Sequence, residues 1–165
     1  MTKASGAKDA TDGFIEQWRR RRPDLDCAPM GTLGRMYRLA SILDGDVRRV
    51  FAQAGLATND FDVLATLRRW DRPMTPTELA RSVLVASGTV TKRVDRLERR
   101  GLVRRSPSPD DGRGRLVELT PEGIALVDGL AGRHWANETE LMAVLDEQER
   151  EQLADLLRKL LIAYE

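Results

Sequence analysis

The sequence predicts a mainly α-helical chain carrying one small β-hairpin wing, with further helices before and after it. Three observations in residues 75–120 predict this. Thr75-Pro76-Thr77-Glu78 has a hydroxyl N-cap, proline at the first helical position and glutamate three residues after the cap, so a helix starts there. Val90, Val94 and Leu97 recur at helical spacing, and Gly101 stands where such a helix can stop in the left-handed conformation. Leu102-Val103 and Leu116-Val117-Glu118-Leu119 then flank the polar loop Ser106-Pro-Ser-Pro-Asp-Asp-Gly-Arg-Gly114, whose turn-forming composition suits a hairpin tip. Helix, turn, helix, hairpin is the order of a winged helix-turn-helix lobe, and duplex DNA is its usual partner.

The helix after the turn, capped by Ser87, carries the chemistry. At about 100° per residue, Val90, Val94 and Leu97 gather on one side, and Thr89, Lys92, Arg96 and Arg99 fall opposite. A hydroxyl and three cations on one face can reach base edges or phosphates in a major groove. Arg104, Arg105, Arg113 and Arg115 add cations on the adjoining hairpin. Arg93 lies about 60° from Val90, at the margin of the apolar side.

The pattern LARSVLVASGTVTKRVDRLERRGLVRR followed by DDGRGRLVELTPEG resembles the MarR family of bacterial transcriptional regulators. Its marks here are Leu97-Glu98, Gly101-Leu102-Val103, Asp111-Gly112-Arg113 and Leu119-Thr120-Pro121-Glu122-Gly123. The resemblance runs from about Phe14 to the C-terminus. It implies a wing arginine in the minor groove oriented by an aspartate, which falls on Arg113 and Asp111. Arg115 is a second candidate for the same position. It also implies a dimerisation domain of intertwined N- and C-terminal helices.

Charge supports the placement of the DNA surface. The net charge is +1, yet residues 1–80 sum to +2, residues 81–115 to +6 and residues 116–165 to −7. Positive charge concentrates on the module proposed to meet phosphate, and the acidic C-terminal part belongs at a protein contact or in solvent.

Taken in order, residues 1–11 read as a disordered polar tail. A first helix over 12–22 bears Phe14, Ile15 and Trp18, and Pro23 to Pro29 break it. A long helix over 30–54 carries Leu33, Met36, Leu43, Val47, Val50 and Phe51 at helical spacing, and a further helix over 59–70 carries Phe61, Val63, Leu64 and Leu67. After the wing, Pro121 starts a long helix to about Leu145. Asp146 and Glu149 form a capping box for a last helix through Leu153, Leu156, Leu157, Leu160 and Leu161. The domain boundaries expected are 1–11 for the tail, 12–56 for the N-terminal helices, 57–120 for the DNA-binding lobe and 121–165 for the C-terminal helices. The apolar stripes outside the lobe call for a second copy of the chain, hence a homodimer and an inverted-repeat DNA site.

The segment around Trp18, Pro29-Met30 and Gly34-Arg35 resembles the urate-responsive, PecS-like branch of the family. In urate-responsive members a tryptophan, an aspartate and two arginines form the ligand site and its link to the DNA lobe. By motif these are Trp18, Asp62, Arg93 and Arg105, which implies a repressor released by a small anionic ligand, urate-like or an aromatic or carboxylic acid. From the residues alone, Asp62 stands beside Phe61 and Val63, where an unpaired carboxylate is costly, and Arg93 can turn inward to a carboxylate or an anion.

Other functions fit less well. Cys27 is the single cysteine, which excludes an internal disulfide and suits a reducing cytoplasm. Redox sensing through Cys27 is an alternative, but its Asp-rich loop disfavours a reactive thiolate. With one histidine and one cysteine no zinc site is expected, nor any other cofactor. No phosphate-cradling Gly loop, Gly-x-Ser-x-Gly or Cys/His pair points to an enzyme, and His134 stands alone beside Trp135. No apolar run approaches the roughly 20 residues that span a bilayer. A winged helix used only for protein docking is the remaining alternative, but it does not require Thr89, Lys92, Arg96 and Arg113 together.

Overall fold

The structure, a computed structural model, describes residues 6–84, 90–108 and 114–165. The element order is α1 (Ala10–Arg21), α2 (Met30–Ala52), α3 (Thr58–Trp70), α4 (Pro76–Ser82), α5 (Val90–Arg99), β1 (Val103–Pro107), β2 (Arg115–Leu119), α6 (Pro121–Leu141) and α7 (Glu147–Ile162). It is the mainly helical chain with one hairpin that the sequence predicts. The chain divides into two compact units, Met1–Asp46 and Val47–Glu165.

In the first unit, α1 starts at Ala10, two residues before the position expected. The cause is a capping box whose two members are both aspartates. Asp9 Oδ1 accepts from the N–H groups of Thr11 and Asp12 at 2.7 and 3.1 Å, and Asp12 Oδ2 accepts from the Asp9 N–H at 2.9 Å. Arg35 of α2 then ties the helix start down, donating from Nε to Asp9 at 2.7 Å and from Nη2 to Asp12 at 2.7 Å. Its Nη1 bonds the Gly31 carbonyl one turn back. Thr11 and Ile15 are buried, and their methyl ends lie over Gly34 and Gly31 of α2, where the missing side chains leave room.

The second unit is built around one core: Phe51 and Leu56, Leu64 and Leu67 of α3, Leu79 of α4, Val94 and Leu97 of α5, Val103 and Val117 of the hairpin, and Val127 and Leu130 of α6 are all buried. Phe51 stacks on Phe61 at 4.3 Å between ring centroids, and the His134 ring packs against both at 5.2 and 5.4 Å. His134 is thus a packing residue, with Nε2 3.2 Å from Glu138 Oε1. Because the last two turns of α2 carry Val47, Val50 and Phe51 into this core, the unit boundary falls inside α2, before the boundary at 56/57 expected from sequence.

The capping boxes expected at Thr75/Glu78 and Asp146/Glu149 are both present, and Gly101 has φ +69°. The helix from Pro121 ends at Leu141, four residues short of the position expected from sequence. Strands β1 and β2 pair antiparallel with Val103 opposite Leu119 and Arg105 opposite Val117. Met74 adds a bridge the sequence did not announce, exchanging two backbone hydrogen bonds with Val117 at 3.0 and 2.8 Å.

Thr120 joins wing to helix. Its hydroxyl donates to the Gly101 carbonyl at 2.7 Å and accepts from Gly123 N–H at 3.0 Å, capping α6. Gly123 is buried there because a Cβ would fall on the Leu102 carbonyl oxygen, a backbone atom with no freedom to move aside. This accounts physically for the Leu-Thr-x-x-Gly spacing. By contrast α7 buries no residue, and Leu156 and Leu161 among others lie exposed.

Two outcomes are expected. Gly123→Ala forces α6 away from Leu102 and destabilises by about 1–3 kcal/mol, as overpacking does, read as a lowered thermal midpoint. The Arg35 hydrogen bond holds the Asp9 carboxyl down to about 2, against an ordinary 3.8. A depressed carboxyl contributes in full above the ordinary value and loses its contribution as the pH falls through the depressed one. The stability gap between the protein and Arg35→Ala should therefore narrow as the pH drops from about 4 toward 2, measured by urea denaturation.

Candidate nucleic-acid interface

Helix α5 positions the candidate interface. It buries Val90, Arg93, Val94 and Leu97, and leaves Thr91, Lys92, Arg96 and Arg99 exposed. The wheel drawn from sequence placed the apolar side correctly, and Arg93, 6% exposed, lies inward as expected. Ser87, Thr89, Asp111 and Arg113 lie outside the described residues.

The exposed cations divide into two kinds. Arg104 pairs with Glu118, its cross-strand neighbour, at 3.0 Å. Arg105 forks between two carboxylates of α5, bonding Asp95 Oδ1 at 2.6 Å and Glu98 Oε2. Desolvation works against the Arg105 charge, but the Asp95 hydrogen bond and the charges of Glu98 and Asp95 outweigh it, so the guanidinium is held protonated more firmly than usual. The wing is thereby tied to the recognition helix. Arg96 donates from Nε to Asp60 Oδ2 at 2.9 Å and from Nη2 to Asp60 Oδ1. Lys92, Arg99 and Arg115 have no carboxylate partner among the described residues; Arg99 bonds only the Asp95 carbonyl, at 3.2 Å.

The carboxylate between apolar neighbours on α3 is Asp60, 2% exposed, rather than Asp62. Asp60 shares a helical stripe with Leu64 and Leu67, at i+4 and i+7, whereas Asp62 is turned well away from that stripe. That periodicity is legible in the sequence. Asp62 is half-buried and accepts a hydrogen bond from the Leu84 N–H at 3.1 Å, holding the chain where it leaves α4.

The remaining candidates belong to the first unit. Trp18 is 50% exposed on α1. It borders a cavity of about 330 Å³ lined also by Leu25, Asp26, Cys27, Pro29 and Met30. Cys27 is half-buried, its thiol 3.7 Å from the Leu25 carbonyl.

A helix-turn-helix closed by a two-stranded wing, with free cations along the outer face of its second helix, defines a winged-helix DNA-binding protein. The comparisons with known proteins narrow the class. The MarR family signature matches residues 56–114. The chain is 36% identical over 146 residues to the HTH-type transcriptional regulator PecS of Dickeya dadantii, covering 87% of this chain and 88% of that one. Among solved structures it resembles a MarR variant from Escherichia coli in complex with operator DNA, with TM-score 0.72, 28% identity and coverage of 93% and 99% of the two chains. It also resembles BpsR of Bordetella bronchiseptica, whose DNA binding is regulated by 6-hydroxynicotinic acid, with TM-score 0.71, 26% identity and coverage of 79% and 94%. The chain belongs to the MarR family of DNA-binding transcriptional regulators, and its relatives are regulators rather than enzymes. No helix among the described residues is long and apolar enough to cross a membrane.

The division of cations sets an expectation for salt dependence. Each cation that neutralises a phosphate contributes about 0.9 to the slope of log affinity against log salt. Lys92→Ala and Arg115→Ala should each flatten that slope by about 0.9 per chain, while Arg104→Ala, already neutralised by Glu118, should leave it unchanged. Fluorescence anisotropy across a salt series reads both.

Proposed function

We propose that this regulator acts in the cytoplasm as a homodimer, binds an inverted-repeat operator as a repressor, and is released by a small anionic aromatic or carboxylic acid ligand. The observation that carries the reading is α5, which buries one face in the core and presents uncompensated cations on the other. In this reading residues 57–120 form the DNA-binding lobe, with Lys92, Arg99, Arg115 and the wing residues Asp111 and Arg113 toward DNA. Ser87 and Thr89 join them as DNA-binding candidates by their place in the sequence. The N-terminal helices, from Ala10 onward, and the C-terminal helices of 121–165 make the dimer.

Support for the dimer comes from apolar side chains that the chain itself leaves uncovered. Leu33, Met36 and Tyr37 of α2, at i, i+3 and i+4, and Leu153, Leu156 and Leu160 of α7, at i, i+3 and i+7, are all exposed. Stripes of this kind on helices outside the core are what a second copy would cover. Two recognition helices related by a two-fold axis then require half-sites about one helical turn apart.

Support for ligand release comes from the behaviour of BpsR and from Arg105. BpsR is regulated by an aromatic acid. Arg105 is held by Asp95 and Glu98, both on α5. A ligand carboxylate that captured Arg105 would replace those partners and untie the wing from the recognition helix. Trp18 offers an aromatic face beside the first unit's cavity, and Asp62 and Arg93 complete the set carried over from the urate-responsive members.

The test is a gel-shift titration of the purified protein on the DNA upstream of its own gene, at stated salt, with urate, 6-hydroxynicotinic acid and a panel of aromatic acids. Binding relieved by one of them, and relief lost in Trp18→Phe or Arg93→Ala, is the expected result. Binding that no compound relieves would leave the DNA-binding regulator and remove the ligand. Sedimentation at the same concentration checks the dimer.

A further inference from the structure

Arg96 stands on the outer side of α5 by helical spacing, yet its guanidinium is not offered outward. Although 47% of its side chain is exposed, Nε and Nη2 both donate to the two oxygens of Asp60, a side-on fork of the kind that matches guanidinium to carboxylate. Asp60 sits in the first turn of α3 and is almost wholly buried. One turn further along the chain, Arg100 makes a matching grip. Its Nη1 and Nη2 donate to the carbonyls of Gly55 and Ala54 at 2.7 and 2.9 Å, just past the end of α2, where helix carbonyls lack partners of their own.

Two arginines at i and i+4 thus clasp the corner between α2 and α3 from one flank of the recognition helix. The hydrogen bonds to Asp60 hold the Arg96 guanidinium protonated more firmly than usual. Moving Arg96 onto a phosphate would leave Asp60 buried without its cation, a costly exchange. Lys92, by contrast, has no carboxylate partner to give up among the described residues.

We propose that Arg96 does not contact DNA: it is a positioning residue that fixes the attitude of the recognition helix through Asp60, with Arg100 as the second fastening. Asp60 has the complementary role of withholding one cation per chain from phosphate. Non-specific attraction is lowered and the operator is favoured, because the helix meets DNA at one set angle with a limited charge. This inference rests on the DNA-binding reading above and concerns how that surface discriminates between sequences.

The experiment measures anisotropy of the full-length protein on its own upstream DNA and on a scrambled duplex, over a salt series. Arg96→Gln keeps an N–H donor toward Asp60 and removes the charge. Its salt slope should equal that of the unchanged protein. Asp60→Asn releases Arg96, so the slope on scrambled DNA should steepen by about 0.9 per chain and the preference for upstream DNA should fall by about ten-fold or more. A slope flattened by about 0.9 per chain in Arg96→Gln would overturn the inference, because Arg96 would then be a phosphate contact. So would an Asp60→Asn protein that folds and keeps both slope and preference. If Asp60→Asn does not melt cooperatively, the Arg96→Gln slope decides. Failure of the unchanged protein to bind either duplex would overturn the DNA-binding reading, and this inference with it. Binding with the flattened slope overturns this inference alone.

Discussion

Helix α5 has ten residues, six of them charged, and two of the others are valines. A segment of that length is marginal as a helix in water, and valine weakens it further. It persists because Val90, Val94 and Leu97 are buried in the core formed with α3, α4 and the hairpin. Burial of a Val or Leu side chain is worth about 1.5–3 kcal/mol, so three of them outweigh the poor intrinsic propensity of the segment. The exposed face of the helix, and whatever it meets, depends on that packing.

Packing alone leaves a short helix free to rock about its apolar stripe. Acid–base ties remove that freedom from two sides. Asp60 and the Ala54 and Gly55 carbonyls hold Arg96 and Arg100 at one flank. Asp95 and Glu98 hold Arg105 of β1 on the wing side. The same pairs cut the usable charge of a segment that is +6 by count. Among the described residues, Lys92 and Arg99 on the helix and Arg115 on the hairpin have no carboxylate partner, and Arg100 is spent on backbone carbonyls. Counting lysines and arginines therefore overstates the interface, while tracing their partners locates it. An anionic ligand and an operator phosphate are both competitors for guanidinium groups, and Arg105 is where such competition would alter the geometry of the wing.

Much of the architecture was legible in the linear sequence. The Thr75/Glu78 and Asp146/Glu149 boxes, the left-handed Gly101 and the Thr120 cap of α6 are local features, and local hydrogen bonds dictate them. The start of α1 was missed because both members of its capping box are aspartates, a departure from the commoner Ser/Thr with Glu/Gln pattern. Helix α6 ends early at Leu141, with no Gly or Pro beside it to announce the end. Asp62 drew attention through its apolar neighbours in sequence, whereas helical geometry buries Asp60 four and seven residues before Leu64 and Leu67.

The sequence by itself determined the order of helices and strands, the inward face of α5 and the concentration of positive charge, because these follow from periodicity, caps and composition within a few residues. Only the tertiary structure decided which cations are spent. Arg96 finds Asp60 thirty-six residues away, Arg100 finds Gly55 at forty-five, and Arg68 finds Asp128 at sixty. The same holds for Met74 on Val117 and for Gly123 against Leu102. Such pairings arise when the core brings distant backbone together, and no local rule sets them. A helical wheel shows where a side chain starts; the partner that its far end reaches depends on the packed neighbours.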